Sequence, residues 1–202
     1  KQEHIRKMLG YEKVVEYAHL PIILNDDGKK MSKRDDASSV KWLLSEGFLP
    51  SAIANYLIWM GNKTPKDIFT MDEAFEWFTL DSVSKAPARF DIAMLRHINK
   101  EHLKLLDAKE ISRYVGFADD EIGALAKVYL EEVSTTKELK EKIKVIFDVK
   151  NISQEIEKEA GIIKEIVKNA PHFDEYDAFK KHIMQESGRK GKELFRPLRV
   201  LM

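Results

Sequence analysis

No cysteine occurs in the 202 residues, which excludes disulfides and thiolate zinc centres. The six histidines show no metal-ligand spacing, so no metal site is expected. Net charge is also absent: 34 Lys and Arg balance 34 Asp and Glu. A uniformly basic nucleic-acid binder is therefore excluded, and any RNA contact must come from a local one-sided patch. No apolar run approaches the roughly 20 residues of a membrane span. No signal peptide is visible, no internal repeat stands out, and no segment is low in complexity. These absences point to a cytoplasmic protein that makes no membrane contact. What remains is a chain with 44% apolar residues, long enough for one or two domains with a real core.

Charge of one sign does accumulate in one place. Lys29-Lys30-Met31-Ser32-Lys33-Arg34 carries four cations in six residues. Asn25-Asp26-Asp27-Gly28 before it is a turn signal, and Leu20-Pro21-Ile22-Ile23-Leu24 before that suits a short buried strand. After it, Ser38 or Ser39 can cap a helix carrying Val40, Leu43 and Leu44 on one face. The basic run thus sits on an exposed loop between a strand and a helix. Such a loop can fold over a polyphosphate and neutralise charge as it develops. A charge run by itself is more often a solvated loop; here the order of the residues decides.

The rest reads as helix with clear caps, so the class is mainly α. Gln2 to Leu9 reads as the end of an amphipathic helix. Because the first residue is Lys1 rather than Met, the chain is expected to be a piece of something larger. Pro50 starts a helix holding Ile53, Ala54, Leu57, Ile58 and Met60, stopped by Gly61. Thr70 with Glu73 is a capping box. Asp91, Asp107 and Asp119 open further helices, and Ser134 or Thr135 another. Ile152 to Ala170 reads as one long helix cut by Pro171. Asp174 caps a helix ending near Gly188, and Pro197 starts or kinks a last helix over 192–202. Only Ile22 to Leu24, with Ile68-Phe69, look strand-like. A composition shift near Asn99 to Asp107 places a domain boundary between 106 and 107.

Lys30-Met31-Ser32-Lys33-Arg34 resembles the KMSKS signature of class I aminoacyl-tRNA synthetases, in its KMSKR form. The likeness to bacterial-type glutamyl-tRNA synthetases runs nearly end to end. It is carried by Ala18-His19-Leu20-Pro21, by Glu46-Gly47-Phe48-Leu49-Pro50 and by Asn55-Tyr56-Leu57. Val83-Ser84-Lys85-Ala86-Pro87-Ala88-Arg89-Phe90-Asp91, with Leu95 and Asn99, looks like the family's "VSKSPAxFD…KL…N" block. Gly191-Lys192-Glu193-Leu194-Phe195-Arg196-Pro197-Leu198-Arg199 is similar to its "GKxLFxPLR".

The resemblance implies that residues 1–106 are the edge of a class I catalytic domain with stem-contact helices and the KMSKR loop. It makes 107–202 an all-α helical-bundle anticodon-binding domain, truncated at its C-terminal end. It implies a glutamate–tRNA ligase that uses ATP with Mg²⁺ to make glutamyl-adenylate, then loads tRNA(Glu), tRNA(Gln) or both, as a monomer. Lys33 is the catalytic position expected to stabilise charge on the phosphates. Lys30, Met31, Ser32 and Arg34 complete the ATP-binding loop. The family's other signature, HIGH, is not found around His4, His19, His97, His102, His172 or His182. The piece alone is therefore expected to be inactive and to bind no cofactor.

The tRNA contacts expected are Lys85 and Arg89 beside Pro87, and Arg189, Lys190, Lys192, Arg196 and Arg199. Each can equally be a solvated charge, and Arg196 and Arg199 can pair with Glu186 or Glu193. Trp42, Trp59 and Trp77 stand among apolar neighbours, so core packing is expected rather than base stacking. His97 and His102 flank a helix junction and are read as surface or packing residues. Two other classes stay open: a non-catalytic α-helical RNA-binding module related to synthetases, and a helical protein-interaction module with an accidental basic loop.

Overall fold

Side-chain caps set most of the helix boundaries in the computed structural model, which describes residues 1–13, 15, 17, 19–32, 39–148 and 150–201. Helix α1 (Gln2–Met8) is followed by β1 (Ile23–Leu24). Ser39 Oγ accepts from the Trp42 N–H and opens α2 (Val40–Ser45). Pro50 occupies the first turn of α3 (Pro50–Gly61), where its missing N–H costs nothing. The Thr70/Glu73 capping box starts α4 (Met71–Trp77), and a short 3₁₀ turn (Leu80–Ser82) leads to β2 (Ala88–Arg89). Asp91 caps α5 (Ile92–Leu105). A second capping box, Asp107/Glu110, starts α6 (Ala108–Val115), which ends on Gly116 at φ +99°. Asp119 caps α7 (Asp120–Val128), and Thr135 Oγ1 accepts from Glu138 N–H at the start of α8 (Thr136–Phe147). Then come α9 (Glu157–Lys168), α10 (Tyr176–Ser187) and α11 (Lys192–Leu201).

The chain divides into two compact units, Lys1–Lys142 and Ile143–Met202. The boundary suggested by composition, between 106 and 107, falls between α5 and α6 inside the first unit. In that unit α3 packs on α5 around Ala52, Ile53, Tyr56, Leu95, Ile98 and Leu103, all buried. Polar ties fix the neighbours. The Leu49 N–H donates to Asn99 Oδ1 (2.7 Å), and Asn99 Nδ2 donates to the Ser134 carbonyl (2.6 Å). The Thr136 N–H donates to the Gly47 carbonyl (2.9 Å). Gly47, at φ +87°, would place a Cβ 2.5 Å from the Lys137 nitrogen, so only glycine lets α8 begin there.

The second unit is a three-helix arrangement. Ile163 of α9, Ile183 of α10 and Leu194 and Leu198 of α11 form its buried centre. Phe179, Met184 and Phe195 pack against them. Among the described residues no helix is long and apolar enough to cross a membrane.

Several expectations change. The helix expected over 152–170 begins only at Glu157, because 154–156 form a turn that buries Ile156. Asp174 does not cap α10; Glu175 precedes it without a side-chain hydrogen bond. Pro197 does not start α11 but lies buried inside it. Ile68-Phe69 is no strand: the Phe69 N–H bonds to Asn55 Oδ1 instead (3.0 Å). Only Leu43 of the α2 face is buried, with Val40 and Leu44 exposed. The strand β2 had no counterpart in the sequence pattern.

Candidate functional site

The basic loop grows from a small folded base. Asn25 to Gly28 make a tight turn, with the Gly28 N–H on the Asn25 carbonyl (2.9 Å) and Gly28 at φ +75°. Asn25 Oδ1 accepts from the Lys29 N–H (2.9 Å), closing the turn from its side chain. The chain then runs back along β1: Leu24 bridges Lys30, and the Met31 N–H donates to the Ile23 carbonyl (2.8 Å). On the other side β1 pairs in parallel with β2, Ile23 opposite Ala88 and Leu24 opposite Arg89. The Phe90 N–H closes that ladder on the Leu24 carbonyl (2.8 Å). Ile23-Leu24 is thus the centre of three extended segments, with Lys30 on one flank and Arg89 on the other.

Tyr56 anchors this base to α3. Its hydroxyl accepts from the Asp91 N–H (2.6 Å), and the Phe90 ring meets its ring edge-on at 5.5 Å. Burial, with Asp91 and Asp26 adding to it, pushes the phenol up to about 12, so it stays neutral. Trp59 stacks on Tyr56 at 6.0 Å and donates from Nε1 to Asp67 (2.8 Å). Trp77 meets Phe69 edge-on at 5.1 Å. Both tryptophans thus pack on other rings.

Lys30 and Ser32 are exposed and Met31 is half-buried. Lys33 and Arg34, together with Ala18 upstream, lie outside the described residues. Arg89 is exposed, and its Nη2 stands 3.5 Å from where a Cβ on Gly28 would be. The fold therefore brings Arg89 against the turn that carries the loop. Lys85 is exposed on the segment leading to β2, where the Ser84 N–H holds the Gly61 carbonyl (2.8 Å).

The C-terminal cations divide into two kinds. Arg189 stands 3.6 Å from Glu159, and Arg196 stands 3.0 Å from Glu155. For Arg196 this acid differs from the Glu186 and Glu193 that the sequence suggested. Lys190, Lys192 and Arg199 are exposed and meet no carboxylate at ion-pair distance among the described residues. Neither Glu155 nor Glu159 was legible beforehand, because both lie at least thirty residues away in sequence.

Other polar clusters are structural. Asn55 Oδ1 accepts from the Phe69 N–H and faces His102 Nε2 at 2.9 Å, while its amide donates to the Asp67 carbonyl (2.9 Å). With Oδ1 as acceptor, the His102 proton sits on Nε2. Burial lowers the His102 pKa, which keeps the ring neutral. Exposed Glu131 is held below the usual carboxylate range by the half-buried Lys104 and Lys100, at 2.9 and 3.0 Å. An apolar cavity of about 310 Å³ lies beside the loop base, lined by Leu20, Ile23, Leu57, Phe78, Val83 and Ala88 among others. Among the described residues no charged side chain lines it. No group of three or more His, Cys, Asp or Glu able to hold a metal converges among the described residues.

Comparison with known proteins gives this base a context. Residues 1–97 match the family described as tRNA synthetases class I (E and Q), catalytic domain. The whole chain is 68% identical to glutamate–tRNA ligase 2 of Sulfurimonas denitrificans and 56% identical to glutamate–tRNA ligase 1 of Nitratiruptor sp., covering 47% of the length of each. The chain thus spans about half the length of these relatives. It also superposes on a crystal structure of a glutamate tRNA ligase from Elizabethkingia meningosepticum, determined in complex with its amino acid. The TM-score is 0.65 at 23% identity, over 97% of this chain and 47% of that one, a likeness of fold. Over all 202 residues, then, this mainly helical chain is a homologue of glutamate–tRNA ligases, and its first 97 residues match the catalytic-domain family of the class I synthetases for E and Q.

Proposed function

We propose that these residues supply the KMSKR loop and the tRNA-facing helices of a glutamate–tRNA ligase. Glutamate attacks the α-phosphate of ATP through a carboxylate oxygen, and pyrophosphate leaves, giving glutamyl-adenylate. A hydroxyl of the terminal adenosine of tRNA then attacks the activated carbonyl, and AMP leaves. Lys33 stabilises charge developing on the phosphates; Lys30 is a second phosphate or loop contact, Arg34 helps grip nucleotide or tRNA, and Met31 and Ser32 shape the loop. Mg²⁺ enters with ATP as its counter-ion. The edge of the catalytic domain and its stem contacts take residues 1–106, and anticodon contacts take 107–202. Lys85, Arg89, Arg189, Lys190, Lys192, Arg196 and Arg199 face tRNA(Glu), tRNA(Gln) or both. Alone, as a monomer, the 202 residues bind tRNA but do not activate glutamate.

The observation that carries this reading is 68% identity to a glutamate–tRNA ligase across the 202 residues. The test is a hybrid in which these 202 residues replace the matching 47% of the Sulfurimonas denitrificans ligase. The hybrid is expected to exchange pyrophosphate into ATP in the presence of glutamate and tRNA. Lys33→Ala in it is expected to slow adenylate formation roughly 10²–10³-fold, about 2.7–4 kcal/mol, with glutamate binding little changed. Near-normal single-turnover activation by Lys33→Ala overturns the role of the loop.

A further inference from the structure

Helix α11 buries Leu194, Pro197 and Leu198 on one face. At 100° per residue, Lys192, Arg196 and Arg199 fall at i, i+4 and i+7 on the opposite face, and all three are exposed. They form a ridge of cations about 10 Å long at a rise of roughly 1.5 Å per residue. That length is enough to meet more than one phosphate of a nucleic-acid strand. Lys192 and Arg199 meet no carboxylate among the described residues. Arg196, the central cation, is instead held at 3.0 Å by Glu155, from the turn preceding α9. Both partners of that pair are open to water, Arg196 at 62% and Glu155 at 72% exposure. An exposed pair of this kind is cheap to break.

Resting on the reading of this unit as an RNA-contacting one, we propose that Glu155 is a carboxylate stand-in for a phosphate. It occupies the central position of the ridge until an RNA backbone displaces it. The guanidinium fork suits both anions, because carboxylate and phosphate present paired oxygens at similar spacing. Held by Glu155, Arg196 is kept over the α11 ridge in the free protein. On binding, the phosphate takes the fork and Glu155 returns to solvent, where it takes up a counter-cation. That uptake offsets part of the counter-ion release that drives binding. Arg189 and Glu159 are a different case, since both are largely covered, at 20% and 27% exposure, so that pair is costlier to break.

The test is equilibrium binding of a glutamate-accepting tRNA transcript to this 202-residue chain across a salt series, for the wild type, Glu155→Gln, Arg196→Ala and the double variant. Glu155→Gln is expected to bind about two- to fivefold more tightly, the worth of one exposed ion pair. Its plot of log K against log salt should steepen by up to about one unit. In the Arg196→Ala background the effect of Glu155→Gln should vanish, which identifies Arg196 as the route. Asp174→Asn removes one negative charge from an acid whose partner is His172, and sets the size of a pure net-charge effect. Glu155→Gln matching Asp174→Asn, or keeping its gain without Arg196, overturns the proposal. Absence of tRNA binding by the wild type instead overturns the reading on which the proposal rests.

Discussion

His102 shows how a single buried side chain reports on its surroundings. It is only 4% exposed, and its Nε2 donates to Asn55, the residue that also holds the Phe69 N–H and the Asp67 carbonyl. Burial places its folded pKa below the ordinary value near 6.5. As pH falls below about 6.5, the unfolded chain binds a proton that the folded chain refuses. The stability this neutral histidine contributes is therefore fully present above that value and is lost as pH drops toward the folded pKa. Urea midpoints measured at pH 7.5 and 5.5 are expected to fall with pH in the wild type and to fall less in His102→Gln, whose amide can replace the Nε2–H donor. An equal fall in both proteins would remove His102 as the cause. The depressed carboxylates, Glu131 and Glu73, act in a lower window, being lost only as pH falls below the usual carboxylate range.

Between elements, glycine sets the closest approach. A Cβ on Gly123 of α7 would stand 1.8 Å from the Ala108 carbonyl oxygen of α6, so these helices touch backbone to backbone. Gly123→Ala is expected to force them apart and cost about 1–3 kcal/mol or more, read from the urea midpoint at unchanged slope. Gly161 of α9 faces open space, and Gly161→Ala is expected to stabilise by roughly 0.5–1 kcal/mol through helix propensity alone. Destabilisation of similar size at both positions would refute the steric account. Helix ends were legible in the sequence, because Ser39, Thr70, Asp91, Asp107 and Asp119 each carry an oxygen that satisfies a free N–H. Buried faces were less so. Leu57 fits the apolar stripe of α3 yet is 46% exposed, while polar Asn55 on the same helix is fully buried. Periodicity marks a face but not what covers it. Nor could β2 be foreseen, since Ala88-Arg89 has no strand pattern and owes its extension to β1.

For the whole molecule, a net charge of zero makes the placement of charge decisive. Binding to RNA should then depend on the few cations that touch it rather than on overall attraction. Arg199→Ala is expected to weaken tRNA binding and reduce the salt slope by about one unit. Arg199→Lys should keep the slope but lose affinity, because lysine cannot reproduce the two-pronged contact. Unchanged affinity and slope with a lowered melting temperature would make Arg199 a structural residue. The cations of the candidate site were legible from sequence; the acids that tie Arg189 and Arg196 were not, since pairing across helices is a property of the packed unit.

The parallel pairing of Ile23 with Ala88 carries a consequence for the order of folding. It joins residues 65 positions apart (88 − 23), and the Tyr56–Asp91 bond closes another span of 35. Such contacts form only after the entropy of closing a long loop has been met. Helices α9 to α11 gather their core within 36 residues of chain, Ile163 to Leu198, and nucleate locally. It follows that the base of the basic loop assembles late and, being last to form, is among the first parts to open under strain. During synthesis Ile23-Leu24 leaves the ribosome well before Ala88-Arg89, so β1 waits without its parallel partner for the time taken to add the 65 residues from Ile23 on to Ala88.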